Sequence, residues 1–347
     1  MNAITLSICI ATVNRGHLIG ETLDCILSQA TDEVEVVIVD GGSTDNTPEM
    51  VGCFKRNDGR LRYFRQDTNL GVDRDFNRAV ELARGEYCWL MSDDDILKPG
   101  AVQRVLEEIR HGFGLIVVNA EVRNVDFSKL LVERRLPFLE DRVYPPGDPG
   151  RLFLEVADFL SFIGCVVIRR DLWVAREKEP YFGSLFIHVG IIFQAPLPFH
   201  ALAIAEPLVT IRFGNQMWTP RSFEIWMFKW PGLLWSFEHI PEEIKVRCLP
   251  RDPWRRPEVL LLYRAKGAYT IAEYRKWIAP RSRSRLEKLS AWIIARSPGL
   301  FLNLLGILCF STYYRRYRLH LEDLRASRFY YRKRLGRLFP ISSAGSK

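Results

Sequence analysis

An open α/β sheet with a ligand-binding edge is what this sequence predicts, on three observations. Strand and helix patterns alternate four times within about the first 120 residues. The run at residues 34–39 is almost wholly β-branched, as in a strand covered on both faces. Polar residues gather just past strand ends: Thr12, Asn14 and Arg15 after the first, Asp40 after the second, and Asp93, Asp94 and Asp95 after the fourth. In open parallel sheets the crevice beyond the carboxyl ends is where ligands bind, so three polar clusters on that edge point to one shared site.

Taken in order, residues 6–12 (Leu-Ser-Ile-Cys-Ile-Ala-Thr) read as the first strand. A helix follows over residues 18–29, with Leu18, Thr22, Cys25 and Ile26 at helical spacing. The second strand runs into Asp40-Gly41-Gly42-Ser43-Thr44-Asp45, where a glycine pair lets backbone approach a ligand closely. Thr47 and Pro48 read as N-cap and first residue of the next helix. Residues 61–65 form a weaker third strand. Asn69-Leu70-Gly71 is a turn, and residues 73–84 a helix closed by Gly85 at its C′ position. The central strand, residues 87–91, stops on Ser92 and three consecutive carboxylates; a helix from about residue 100 to 110 and a strand at 114–119 follow.

The acidic triplet has two readings. Adjacent carboxylates repel, and a hard divalent ion is a natural counter-charge, Mg²⁺ being held by one or two carboxylates plus substrate phosphates. Alternatively Asp95 opens the helix that follows Pro99. Familiar alternatives are absent: there is no G-x-G-x-x-G dinucleotide fingerprint after the first strand, no G-x-x-x-x-G-K-[ST] phosphate loop and no G-x-S-x-G nucleophile elbow.

The net charge of +8 is a terminal feature. Residues 311–347 hold ten Lys/Arg (Arg315, Arg316, Arg318, Arg325, Arg328, Arg332, Lys333, Arg334, Arg337, Lys347) against Glu322 and Asp323, which leaves residues 1–310 neutral. Seven cysteines (Cys9, Cys25, Cys53, Cys88, Cys165, Cys248, Cys309) are scattered and never paired as C-x-x-C, the usage of a reduced, cytosolic chain without zinc or disulfides. The first residues enter a strand directly and carry no export signal.

Thr12-Val13-Asn14-Arg15, Glu21-Thr22-Leu23, Val39 to Asp45, Asn69-x-Gly71, Asn77, Ala83-x-Gly85-Glu86-Tyr87 and Ser92 to Asp95 together resemble, in order and spacing, the N-terminal half of family 2 glycosyltransferases with the GT-A fold. The resemblance covers about residues 4–120 and implies an NDP-sugar donor with Mg²⁺ or Mn²⁺. It places Asp40 on the nucleoside and Thr12 and Asn14 among the first-strand nucleotide contacts; Arg15, Asn77 and Asp93 belong to the same donor-binding set. Asp94 matches the second aspartate of the D-x-D metal motif. The first falls on Ser92, a departure for which Asp93 or Asp95 compensates, giving Asp94 and Asp95 as the expected metal ligands.

The family's acidic pair, which supplies the catalytic base, is missing. The corresponding window reads Tyr181-Phe182-Gly183-Ser184-Leu185-Phe186-Ile187-His188-Val189-Gly190, and only His188 there has suitable chemistry. Its apolar neighbours equally suit a core histidine. A histidine at that position, followed by Ile211-Arg212-Phe213-Gly214-Asn215-Gln216-Met217-Trp218, resembles the abequosyltransferase-like branch, which adds a dideoxyhexose during O-antigen assembly; a CDP-deoxyhexose is then a candidate donor. Arg212, Asn215 and Trp218 are expected to form a lid or an acceptor segment, Arg212 clamping diphosphate and Trp218 stacking on a sugar, against a plain surface-arginine and core-tryptophan reading. The Q-x-x-R-W motif of processive synthases is absent, which favours transfer of a single sugar.

The expected organisation is a GT-A catalytic domain over residues 1–220 (nucleotide-sugar half 1–120, acceptor half 121–220) and a helical region over 221–347. Trp218, Trp226, Trp230 and Trp235 suit a core better than a membrane belt. The charge-free stretch at residues 297–314 is too short for a confident span, yet beside the basic, tyrosine-rich tail it suits an anchor on an anionic cytoplasmic leaflet. The neutral body counts against nucleic acid. The expected activity is therefore inverting transfer of one hexose to a lipid-linked oligosaccharide by a cytoplasmic enzyme peripheral to the inner membrane face. The rivals are a nucleotidyltransferase and a catalytically silent GT-A scaffold docked on the membrane.

Overall fold

The computed structural model describes residues 3–312 and 317–331. The chain divides into two compact units, residues 1–213 with 233–249 and residues 214–232 with 250–347. The first begins with the alternation expected: β1 (Leu6–Thr12), α1 (Ile19–Leu27), β2 (Val34–Asp40), α2 (Thr47–Asn57), β3 (Leu61–Arg65), α3 (Val72–Leu82) and β4 (Tyr87–Met91). β3, β2, β1 and β4 lie side by side, each pair parallel. β2 and β4 are buried along their whole length, which is why they read as unbroken apolar runs.

Next come β5 (Ile96–Leu97), α4 (Ala101–Ile109), β6 (Leu115–Asn124), β7 (Leu130–Val132), β8 (Arg142–Tyr144), α5 (Pro149–Val156), β9 (Val166–Arg169), α6 (Arg170–Ala175), α7 (Ile187–Phe193) and β10 (Ala201–Phe213). The sheet order is β3-β2-β1-β4-β9-β6-β10-β5, with β7 on β6 and β8 on β10. β9 runs antiparallel to both β4 and β6 and so joins the parallel half to the rest. Past β10 come α8 (Ser222–Glu224) and α9 (Trp230–Trp235), and α10 (Glu242–Cys248) then packs on α5.

Local differences from the sequence reading have steric causes. Gly85 does not close α3, which ends at Leu82. It passes so near β1 that a Cβ would stand 2.7 Å from the Ser7 nitrogen, and its N–H donates to Ser7 Oγ at 2.9 Å. β9 starts at Val166 after two 3₁₀ turns, between which the Phe162 ring lies against Gly164. The unit boundary falls after Phe213 rather than residue 220, and residues 233–249 return to the first unit, where Phe237 packs on Phe153 and Phe193 with ring centroids 6.3 and 5.9 Å away.

The second unit holds α11 (Pro257–Lys266), α12 (Ile271–Glu273), α13 (Arg285–Arg296), α14 (Gly299–Thr312) and α15 (Arg318–Ala326). Its core is aromatic: Phe223 stacks on Tyr269 at 4.8 Å, and Phe228 on Trp277 at 5.1 Å. Met227 and Trp230 are buried, whereas Met217 and Trp218 are exposed. Of the basic tail, Arg318, Arg325 and Arg328 are described; Arg315, Arg316, Arg332, Lys333, Arg334, Arg337 and Lys347, with Tyr313 and Tyr314, lie outside the described residues. Among the described residues no single helix is long and apolar enough to cross a membrane.

Candidate active site

Three adjacent strand ends meet at one edge of the first unit. Thr12 at the end of β1 is the register partner of Asp40 at the end of β2, and Met91 at the end of β4 pairs with Ile10. The following loops are tied together at once. Gly41 N–H donates to the Thr12 carbonyl at 2.9 Å. Asn14, held at φ +55°, accepts from Thr44 N–H at 2.8 Å and Asp45 N–H at 3.3 Å through its side-chain oxygen. Thr47 is the first residue of α2 rather than its cap, and its hydroxyl accepts the Arg15 N–H at 2.8 Å. Sequence neighbours of each strand end thus build one rim.

Asp40 has no exposed surface. One carboxylate oxygen accepts Ser43 N–H at 2.7 Å, shaping the 41–45 turn, and the other accepts the Tyr63 hydroxyl from β3. That bond, after burial, drives the Tyr63 phenol well above its ordinary range. Beside them Asp75 of α3 accepts from the Gln66 amide at 2.6 Å; burial, with Asp40 and Asp73 nearby, pushes its carboxyl up to about 6. A Cβ on Gly41 would stand 2.9 Å from Asp75 Oδ2, and Gly42 sits at φ +82°. The first glycine admits a carboxylate and the second makes the turn. Tyr63, Gln66 and Asp75 are missed by sequence reasoning. Tyr63 lies in the weakest strand, and Asp75 reads as ordinary acid in the first turn of a helix. The one available signal was α3 itself, where polar residues recur at 73, 75 and 77 on buried positions.

The acidic triplet is divided by the fold. Asp93 and Asp94 turn toward Arg15, whose Nε and terminal nitrogen stand 3.5 Å from Asp93 Oδ1 and Asp94 Oδ2 respectively. Those distances exceed the roughly 2.7–2.9 Å of tight charge-assisted bonds. Burial and the Asp94 charge push the Asp93 carboxyl up to about 7, with Arg15 only partly opposing them. The Thr12 hydroxyl is buried on the same edge without a hydrogen-bond partner of normal geometry. Two neighbouring carboxylates on one rim, one of them pushed up by burial and by the other, fit a divalent cation whose remaining ligands are phosphate and water. Among the described residues no group of three His, Cys, Asp or Glu side chains is placed to hold a metal by itself.

Asp95 departs from the expectation that it ligates metal. Its carboxylate turns inward, accepting Arg212 N–H at 2.7 Å and lying 2.5 Å from the Ser92 hydroxyl, and burial drives its carboxyl far up. It caps no helix either, since the chain passes directly into β5. The Ser92 hydroxyl also reaches Asp94 Oδ1 at 2.6 Å; with one proton it serves one carboxylate at a time.

Five further expected site residues meet different surroundings. Arg212 is a fastener rather than a free clamp: it is buried, donates to the Asp94 carbonyl at 2.9 Å, the Val125 carbonyl at 2.7 Å and Glu21, and lies over the Phe127 ring. Asn77 joins α3 to α6, accepting from Trp173 Nε1 at 3.0 Å and donating to Glu81 at 2.8 Å. His188 is 1% exposed within α7, every residue of which is buried. Its Nε2 is 2.6 Å from the Leu160 carbonyl, and burial pushes it down to about 4, so it is a core histidine and a feeble base. Asn215 and Trp218 belong to the second unit, where Trp218 meets Trp226 edge-on at 5.7 Å.

The model of the family described as glycosyl transferase family 2 matches residues 7–171, the stretch that builds this rim. These residues are a family 2 glycosyltransferase domain. The abequosyltransferase RfbV of Salmonella typhimurium is 28% identical over 226 residues, 60% of this chain and 67% of its own length. Staphylococcus aureus TarS (residues 1–349) shares the fold with a TM-score of 0.57 at 16% identity, over 96% of this chain and 92% of that one. The mannosyltransferase PcManGT of Pyrobaculum calidifontis, solved with GDP-Man and Mn²⁺, has a TM-score of 0.52 at 16% identity, over 99% and 89% of the two chains. The glycosyltransferase domain thus has the GT-A fold expected, and the nucleotidyltransferase reading is set aside.

Proposed function

We propose that the domain transfers a single hexose with inversion from an NDP-sugar to a hydroxyl of a lipid-linked oligosaccharide, working at the inner face of the membrane. The observation that carries this reading is the rim itself, where Asp40, Arg15 and Asp93–Asp94 come from three adjacent strand ends. The nucleoside would sit over the Gly41–Gly42 turn beside Asp40 and Asp75, its diphosphate reaching toward Arg15. That guanidinium, 3.5 Å from two carboxylates, has the planar fork that pairs with a phosphate in bidentate fashion. Mg²⁺ or Mn²⁺ held by Asp93 and Asp94 would offset the charge that builds on the departing diphosphate. Arg212 and Asp95 keep the loop rigid, so the donor meets preorganised groups. The mannosyltransferase solved with GDP-Man supports an NDP-sugar donor, and the abequosyltransferase a dideoxyhexose.

Calorimetry with a panel of nucleoside diphosphates, with and without Mn²⁺, tests the reading, followed by hydrolysis of the preferred NDP-sugar. Metal-dependent binding of one nucleotide with slow hydrolysis is expected; no nucleotide bound at the rim would remove the proposal. One observation favours the scaffold reading instead: α7 carries no carboxylate, and its histidine is enclosed. Tight nucleotide binding with no hydrolysis and no transfer to any acceptor lipid would decide for it.

A further inference from the structure

Helix α14 turns large apolar side chains outward. Over Gly299–Thr312 it carries no charge, and the side it turns into its own unit holds Gly299, Asn303 and Gly306, with Phe310 against His320. Asn303 donates to the Ala265 carbonyl at 3.1 Å and the Leu324 carbonyl at 2.9 Å, and Gly306 lets Leu324 approach. The outward side is Phe301, Leu304, Leu305 and Leu308, with Phe301 58% and Leu308 61% exposed. A helix packed on a water-soluble protein puts its polar residues outside and its apolar ones inside. The reverse arrangement suits an apolar surrounding.

Helix α13 extends the same character. It buries Ala291, Ile294 and Ala295 and exposes Leu286, Leu289, Trp292 and Ile293. The two helices meet at a 93° bend. α14 alone, with 14 residues, is about 21 Å long and falls short of a hydrocarbon core of about 30 Å. Charge completes the picture: residues 281–312 carry Arg281, Arg283, Arg285, Lys288 and Arg296 against Glu287 alone, and Glu287 is engaged by Arg255 at 2.7 Å. A second copy of the chain would set these cations against their own kind. An anionic phospholipid surface takes both the cations and the apolar side chains.

We propose that α13 and α14 form a bent, monotopic membrane-docking element that inserts its outward apolar side into an anionic leaflet without crossing it. This deepens the membrane-associated part of the function proposed above, and it stands on the outward side chains of α13 and α14. The test is flotation of the full chain with phosphatidylcholine vesicles, with and without phosphatidylglycerol, alongside size-exclusion chromatography. The native chain should float with the anionic vesicles. Leu305→Glu with Leu308→Glu should lower that partition at least about tenfold, with thermal unfolding unchanged because both side chains face outward. Replacing Arg332, Lys333, Arg334 and Arg337 by Gln should lower it less. Full flotation by the Glu variant, or flotation abolished by the tail variant alone, would overturn the proposal. So would a native dimer that the Glu variant splits and that ignores vesicles. NDP-sugar hydrolysis without vesicles separates the two readings: its loss with flotation intact sinks the enzyme reading, and intact hydrolysis without flotation sinks the docking element.

Discussion

Two regions of the first unit each held a residue with the right chemistry for catalysis, and the fold treats them in opposite ways. At the rim, Asp93 and Asp94 lie at 3.5 Å from one shared guanidinium, and the Asp93 carboxyl rises to about 7. In α7, His188 is enclosed, bonded to the Leu160 carbonyl and lowered to about 4. Both are buried titratable groups. One stands at a strand end beside a second carboxylate and a guanidinium, the other is enclosed in a core, bonded through Nε2 alone with its Nδ1 buried without a hydrogen-bond partner. The difference teaches that position in the topology, more than residue type, decides what a polar side chain is for. A parallel strand must end at the edge of its sheet, so the residues after it are delivered to a surface. A short helix gives no such guarantee.

The comparison breaks most visibly at Asp93. Asp93→Asn is expected to lower kcat by about 10²–10³-fold, the loss typical when one group stabilising developing charge is removed. The melting temperature should hold or rise, because a poorly compensated buried carboxylate has been neutralised. Steady-state kinetics with Mn²⁺ and a thermal scan check both halves. Next is Arg212→Ala, expected to lower unfolding free energy by about 3 kcal/mol in urea, since it leaves Glu21 and the Asp94 and Val125 carbonyls without their donor, while the backbone N–H to Asp95 remains. The KM for donor should change little in the folded fraction. A large rise in KM at unchanged stability would return Arg212 to the role of diphosphate clamp.

The legible and illegible parts of the sequence follow the same division. β1, β2 and β4 announce themselves because burial on both faces demands apolar runs, and the rim residues follow from where those runs stop. Asp40, Arg15, Asp93 and Asp94 were therefore locatable from the chain alone. Asp95 and Arg212 were not, since 117 residues separate the Asp95 carboxylate from the backbone N–H it accepts. Asn77 looked like a donor contact because it stands in an ordered motif, yet its amide is taken by Trp173, 96 residues away. Tyr63 and Asp75 escaped for the converse reason: nothing near them in sequence marks the packing that brings them to Asp40. In the second unit the aromatic cluster gave composition without direction, and only the fold separates buried Phe223 from exposed Trp218.

His188 sharpens the comparison from the core side. His188→Ala is expected to lower stability by about 2–3 kcal/mol, the scale of a buried large-to-small replacement, while kcat/KM at permissive temperature stays within about threefold. A loss of 10²-fold or more in kcat with normal stability would restore it as the base. Acid should show the same burial. The folded imidazole, near 4, binds its proton far less readily than the unfolded one near 6.5. Below pH 6.5 the unfolded chain takes up a proton that the native chain refuses. Stability from this group is therefore whole above pH 6.5 and falls as pH drops toward 4, by up to about 3 kcal/mol. Urea midpoints from pH 7 to 4 should fall less steeply in His188→Gln than in the native chain.

The smallest effect is expected at Tyr63, and it separates shaping the rim from touching the donor. The phenol donates to Asp40, whose other oxygen fixes Ser43 and hence the 43–45 loop that Asn14 also holds. Tyr63→Phe removes one bond to a buried carboxylate and costs about 1 kcal/mol of stability. The loop loosens, and the donor KM should rise about threefold to fivefold. kcat should stay as it was, because the function proposed above puts the reacting atoms at the Asp93–Asp94 end of the rim. A fall in kcat at constant KM would mean instead that the departing diphosphate lies over β2 and that Arg15 and Asp93 are the supporting groups, reversing the order of the rim.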